Sequence, residues 1–183
     1  MYSVIDTKLK GCLRLVPKIF EDNRGITFKP FHVDLYKELG IIESFNEDLI
    51  VISKKGVLRG LHYQNHPYAQ AKLVFCIRGR ILDAVIDIRS GSPTYGEYEL
   101  FDLSGYNKHM LYIPEGFAHG YLTLEDQSIV MYKMSAIYKP ELEGGIRWDS
   151  VGIPWGVENP IMSERDRKFV TFDAFKSSFI YNT

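Results

Sequence analysis

A chain of 183 residues with 45% apolar and 25% charged side chains fits one globular domain, long enough to bury roughly 70% of its unfolded surface. A net charge of −1 excludes a global field for nucleic acid or an anionic membrane, so any bound anion must be held by a local cluster of cations. Two cysteines make no disulfide framework. With no N-terminal apolar leader and no run of about 18 apolar residues, the expectation is a soluble protein of the reducing cytoplasm.

In chain order, Val33 to Leu39 reads as two helical turns ended by Gly40. Leu49 to Ile52 is a short apolar strand that stops at Lys54-Lys55-Gly56. The segment Arg59-Gly60-Leu61-His62-Tyr63-Gln64 also has β character. Leu73 to Ile77 breaks at Arg78-Gly79-Arg80, and its Cys76 reads as a buried structural thiol. Ile81 to Ile88 is β-branched and partly alternating, and Arg89-Ser90-Gly91-Ser92-Pro93 closes it with a turn. Tyr98 to Leu103, His109 to Ile113, Gly120 to Leu124 and Ser128 to Met134 follow, with turns at Ser104-Gly105, Pro114-Glu115-Gly116 and Glu125-Asp126. So many short strands, with no room for crossover helices, predict an all-β antiparallel sandwich or barrel with a few short helices. Trp148 and Trp155 flank Pro154 as core or rim. Ser163-Glu164-Arg165-Asp166 has the form of a capped first helical turn. The tail from Phe169 to Phe179, with its four phenylalanines, should pack on the barrel.

The chemistry concentrates in two places. Arg59, His62 and Lys72 fall within fourteen residues and offer an anion clamp, a base and a cation able to steady an oxyanion. Taken singly, each has a plainer reading. A lone histidine on a strand is usually a hydrogen-bonded core residue. Arg59 could pair with a surface carboxylate, and Lys72 could be an exposed edge-strand lysine. One shared pocket explains all three at once, because a buried cation needs an anion. The second place is Pro114-Glu115-Gly116-Phe117-Ala118-His119, a tight turn opening a strand that points a histidine inward. It is the second signature of cupin-type jelly rolls. The first signature normally supplies two histidines one residue apart. Here His62-Tyr63-Gln64 stands, and glutamine is a poor ligand for transition metals, so the reading is a metal-free barrel. Tyr132 and Tyr138 have no privilege by composition among twelve tyrosines, and Glu141 and Glu143 read as a solvated loop.

Taken together these segments resemble the nucleotide-sugar 3,5-epimerases. The shared text is 56–64, 69–74, 87–96 and 113–120, then Tyr132-Lys133, Gly145-Ile146-Arg147-Trp148-Asp149 and Ser163-Glu164-Arg165-Asp166, within a span from Asp22 to Lys168. The resemblance implies a cupin-type jelly roll without cofactor or metal, working over residues 1–183 as a homodimer with swapped N-terminal strands. It implies a substrate with a ketone at C4 of a nucleotide-linked 6-deoxy sugar, inverted at C3 and C5 by proton removal and return. In this scheme His62 is the base and Asp166 its partner. Tyr132 donates from the opposite face and Lys72 supports the enolate oxygen. Arg24, Arg59, Gln70, His119 and Lys168 match positions that engage phosphates or sugar. Tyr138 matches the aromatic that stacks on the base, and Glu143 a nucleotide-side contact.

Two departures bear on the nucleotide. Ile26-Thr27-Phe28-Lys29 stands where the family pattern has Phe-Phe-x-Glu, and Glu47-Asp48-Leu49-Ile50 where it has Gln-Asp-Asn-His. These exchanges keep open a guanosine diphosphate carrier with a 4-keto hexose or heptose, and inversion of C3 alone. Metal-dependent cupins and non-catalytic sugar-binding jelly rolls are the rival classes.

Overall fold

Strand alternation decides which side chains of this chain face one another. In the computed structural model, which describes residues 2–181, thirteen strands run β1 Tyr2–Asp6, β2 Leu13–Pro17, β3 Phe20–Asp22, β4 Gly25–Thr27, β5 Glu47–Ser53, β6 Leu58–Gln64, β7 Lys72–Arg78, β8 Arg80–Asp87, β9 Tyr98–Ser104, β10 Met110–Ile113, β11 Phe117–Thr123, β12 Ser128–Met134 and β13 Glu143–Gly145. The helices are α1 Val33–Glu38 and α2 Glu164–Arg167, with single 3-10 turns at Pro140–Leu142 and Phe172–Ala174. The strands build a six-stranded sheet, β1-β2-β10-β7-β12-β5, a five-stranded sheet, β13-β6-β11-β8-β9, and a separate β3-β4 hairpin. Neighbouring strands pair antiparallel, as a jelly roll requires.

Three apolar layers follow from the alternation. Between the sheets lie Val74 and Cys76 of β7, Ile81 and Val85 of β8, Phe117 and Tyr121 of β11, and Val130 of β12. The alternate residues of β7, Leu73 and Phe75, face outward and are covered by Tyr36 of α1 and Ile41. On the far side, Ala84, Ile86, Ala118 and Leu122 meet Ile146, Trp155, Phe175 and Phe179, so the aromatic tail does pack on the barrel. The inter-sheet layer is not apolar throughout. Lys72, Asp83, His119 and Tyr132 fall on the same inward phase as those core residues, and they turn one end of the layer polar.

Gly60 and Gly120 bring the two sides of the polar end together. A Cβ on Gly60, whose φ is +130°, would stand 2.6 Å from the Gly120 Cα and 2.9 Å from the His119 carbonyl. Only glycine therefore lets β6 lie so close to β11 beside His62. α2 begins with Ser163 as N-cap, its hydroxyl accepting from the Asp166 N–H at 3.1 Å, which is the cap the sequence predicts. The first four strands were not predicted. β1, β3 and β4 are almost wholly exposed, so burial imposes no alternating pattern on them.

Candidate active site

The polar end of the sandwich is a cavity of about 340 Å³, and among the residues that line it are Arg59, His62, Gln70, Lys72, His119, Tyr132, Tyr138 and Glu143. His62 belongs to β6 of the five-stranded sheet. Tyr132 belongs to β12 of the six-stranded sheet. Base and phenol thus enter the cavity from opposite walls.

His62 is held by Asp166. Its Nε2 lies 3.0 Å from the Asp166 Oδ1, so α2, 104 positions downstream, carries the partner to the base. A carboxylate only accepts, so Nε2 carries the proton and Nδ1 is left as the basic lone pair. Burial works to raise the Asp166 carboxyl, but His62, the Gly60 N–H at 3.2 Å and Ser163 together hold it well below the usual carboxylate range. Arg165 stands on the same pair, with Nε 3.3 Å from the Asp166 Oδ1 and Nη2 3.5 Å from the His62 Nε2.

Lys72 sits on β7, an interior strand between β10 and β12, and only 8% of its surface is exposed. The exposed edge-strand alternative is thereby removed. Its Nζ donates to the His62 carbonyl at 3.3 Å, so the ammonium reaches across to the base strand. Burial lowers its pKa to about 8, with Glu143 and Asp83 opposing the fall.

His119 and Asp83 form a second His–carboxylate pair, 2.8 Å apart and buried on β11 and β8. Burial depresses the imidazole, and Asp83 only partly offsets this. The other Asp83 oxygen is buried without a partner. The His119 ring meets the Tyr132 ring edge-on at 5.8 Å. Tyr132 is held far above its ordinary pKa by burial first, then by Tyr121 and Asp83, so it enters any reaction as the neutral phenol.

At the mouth, the Tyr138 hydroxyl donates to Glu143 at 2.7 Å and Arg165 pairs with the same carboxylate. Glu143 is therefore part of the cavity wall, not a solvated loop. Gln70 Nε2 donates to the Ala136 carbonyl at 2.8 Å. Gln64 gives its amide to the Tyr68 and Ile137 carbonyls and accepts from the Lys139 N–H, so it braces the loop over β6. Arg59 Nε donates to the Ser53 hydroxyl at 3.1 Å, and among the described residues it has no carboxylate partner.

Two of the expected residues lie elsewhere in the single chain. Arg24 is on the exposed β3-β4 hairpin, paired with Asp22 at 2.6 Å, and Lys168 is exposed at the C-cap of α2. Neither lines the cavity. Asp83 and Arg165 were not singled out from the sequence. Asp83 had a signal, because in the strand over 81–88 it is one of two carboxylates, with Asp87, on the phase of Ile81 and Val85, and Asp87 has Arg89 beside it as a partner.

A jelly roll with a histidine–carboxylate base on one sheet, a neutral phenol on the facing sheet and a buried ammonium in the same cavity has the parts of an acid–base isomerase acting beside a carbonyl. Residues 6–174 match the family of dTDP-4-dehydrorhamnose 3,5-epimerase, and the chain belongs to that family. It is 44% identical to the enzyme of that name from Shigella flexneri over 179 residues, covering 94% of this chain and 99% of the relative. It is 42% identical to that from Methanothermobacter thermautotrophicus, covering 92% and 93%. Among solved structures, the Legionella pneumophila epimerase in complex with dTDP-4-keto-L-rhamnose superposes with a TM-score of 0.95 at 35% identity over the full length of both chains. The Bacillus anthracis enzyme with TDP and PPi bound gives 0.92 at 36% identity, covering 94% of this chain and 100% of the other. These relatives are thymidine-nucleotide enzymes by name, so the guanosine alternative drawn from Lys29 and Leu49 is not favoured.

Proposed function

We propose that the protein inverts C3 and C5 of a dTDP-linked 4-keto-6-deoxy hexose, with His62 and Tyr132 exchanging protons on opposite ring faces. The observation that carries this reading is the placement of the two groups on facing sheets of one cavity. The C4 ketone acidifies the hydrogens on C3 and C5. His62 Nδ1 takes one of them, its new charge stabilised by Asp166. The electron pair moves to the C4 oxygen, where the Lys72 ammonium donates to it. Tyr132 returns a proton from the other face, and the centre is inverted. Burial makes the resulting phenolate costly, so Tyr132 takes a proton back from water, His62 gives its proton up to water, and the site resets. No redox step occurs, since the carbon returns to its starting oxidation level.

Arg59, Gln70, His119, Tyr138 and Glu143 surround the sugar diphosphate, with Tyr138 stacking on the thymine at the mouth. Arg24 and Lys168 serve a site completed by dimerisation. In the homodimer, the N-terminal strands of one chain swap onto the other, and the exposed hairpin with Phe20 (58% exposed) and Ile26 gains a surface to cover. Ile50 and Ile52, on the outward face of the β5 edge strand, are equally uncovered at 57% and 58%. Operation in the cytoplasm accords with two free, buried cysteines and with the absence, among the described residues, of any helix long and apolar enough to cross a membrane.

The test is solvent exchange. In deuterated water, dTDP-4-keto-6-deoxyglucose should gain deuterium at both C3 and C5. Label at C3 alone would make the protein a monoepimerase, the activity that names a solved Streptomyces bikiniensis neighbour at 29% identity and a TM-score of 0.85 over 90% of this chain and 85% of the other. Label at neither carbon would end the epimerase reading.

A further inference from the structure

A cavity for a sugar ought to offer hydrogen bonds on every wall, yet one wall here offers none along much of its length. The inward face of β5 presents Glu47, Leu49, Val51 and Ser53 in turn. Glu47 accepts from the Tyr138 N–H at 2.6 Å, and Ser53 is taken by Arg59. Leu49 and Val51 lie between them. In register on β12, Leu49 stands opposite Tyr132 and Val51 opposite the buried Val130, with Met134 of the same strand also on the cavity. The aliphatic surface is therefore next to the proposed proton donor, where the ring must come close.

We propose that Leu49 and Val51 determine specificity, by selecting a sugar whose carbon at that wall carries no hydroxyl. The inference rests on the epimerase reading and deepens it. A hydroxyl pressed against Leu49 and Val51 leaves its water partners and finds neither donor nor acceptor, whereas a methyl or methylene group loses nothing and buries apolar surface. Asparagine, which the family pattern places at the Leu49 position, would do the reverse. The proposed substrate already lacks the C6 hydroxyl, so the deoxygenated position is C2, the ring carbon flanking C3, which adjoins a centre that exchanges protons.

The experiment compares by kcat/KM for deuterium incorporation two dTDP-4-keto-6-deoxyhexoses that differ only in the C2 hydroxyl. The protein should favour the 2-deoxy member by about ten- to hundredfold, the range an apolar pocket gives against an added hydroxyl. Leu49→Asn and Val51→Ser, each with a melting curve to show that it folds, should shrink that preference about fivefold or more. A ratio near one, with full exchange, overturns the inference and leaves the epimerase reading standing. A preference that neither variant alters also overturns it. No exchange with any of the substrates removes the epimerase reading and this inference with it.

Discussion

Lys72 carries opposing demands on one side chain. Burial disfavours its charged form, and the fall from 10.5 to about 8 corresponds to roughly 3 kcal/mol of differential interaction. Between about 8 and 10.5 the unfolded chain binds more protons than the folded one, so stability rises with pH across that window. The proposed mechanism needs the opposite state, because only the ammonium can donate to the enolate oxygen. Exchange should therefore fall as pH climbs through about 8 while the melting temperature increases. Lys72→Met should separate the two, lowering kcat by about a hundredfold or more and raising the melting temperature by a few degrees. A parallel loss of both would refute the oxyanion role. The two proton-transfer residues differ in what they should lose. His62→Asn should abolish exchange at both carbons while dTDP binding, followed by calorimetry, stays near its starting value. Tyr132→Phe should retain proton removal, seen as label entering recovered substrate, and lose inversion. Asp166→Asn keeps the size of the side chain but can present an N–H where an acceptor is needed, and should cost about a hundred- to ten-thousandfold in kcat. That His62, Lys72 and Tyr132 would meet in one cavity was legible, because they sit in ordered motifs that the family resemblance groups together. Asp83 and Arg165 were less so. A carboxylate in an alternating strand and an arginine in a capping turn both have ordinary explanations until the fold shows what lies opposite.

At the scale of elements, the strands from β5 to β12 could be read from the sequence because each is a short apolar or partly alternating run bounded by turn residues. β1, β3 and β4 could not, since no buried face disciplines them. The position of Lys72 shows the limit of local reading. Nothing near Ala71 or Leu73 reveals that β7 lies between β10 and β12, because strand order comes from pairings with residues 35 to 62 positions away, from Met110↔Phe75 to Met134↔Lys72. The β6–β11 crossing is the element on which the site depends most. Gly60 places its N–H on Asp166 and stands two residues before His62. Gly60→Ala would force a methyl against the Gly120 backbone at a φ that side chains avoid. It should lower stability by about 1–3 kcal/mol and, by displacing the His62–Asp166 pair, depress kcat more than dTDP affinity. Chemical denaturation and exchange kinetics on the same variant check both expectations.

On the scale of the whole molecule, the single chain brings His62 and Tyr132 into one cavity and leaves Arg24 and Lys168 outside it. Arg24 stands on a hairpin outside the two main sheets, bound only to its neighbour Asp22, with Phe20 and Ile26 open to solvent beside it. A swapped dimer makes sense of this if the hairpin of each chain lies against its partner's cavity. Each active site would then combine the His62 of one chain with the Arg24 of the other, and that arrangement can be tested by mixing. Arg24→Ala should weaken dTDP binding about tenfold, and His62→Asn should be inactive. Unfolding and refolding the two variants together yields mixed dimers. If the hairpin crosses, one of their two sites pairs an intact His62 with an intact Arg24, so activity at low substrate should rise above the sum of the separate variants. If each hairpin serves its own chain, every site carries one lesion and mixing gains nothing. A particle of about twice the 21.1 kDa chain mass in sedimentation is required first, and a monomer there would leave Arg24 without a site.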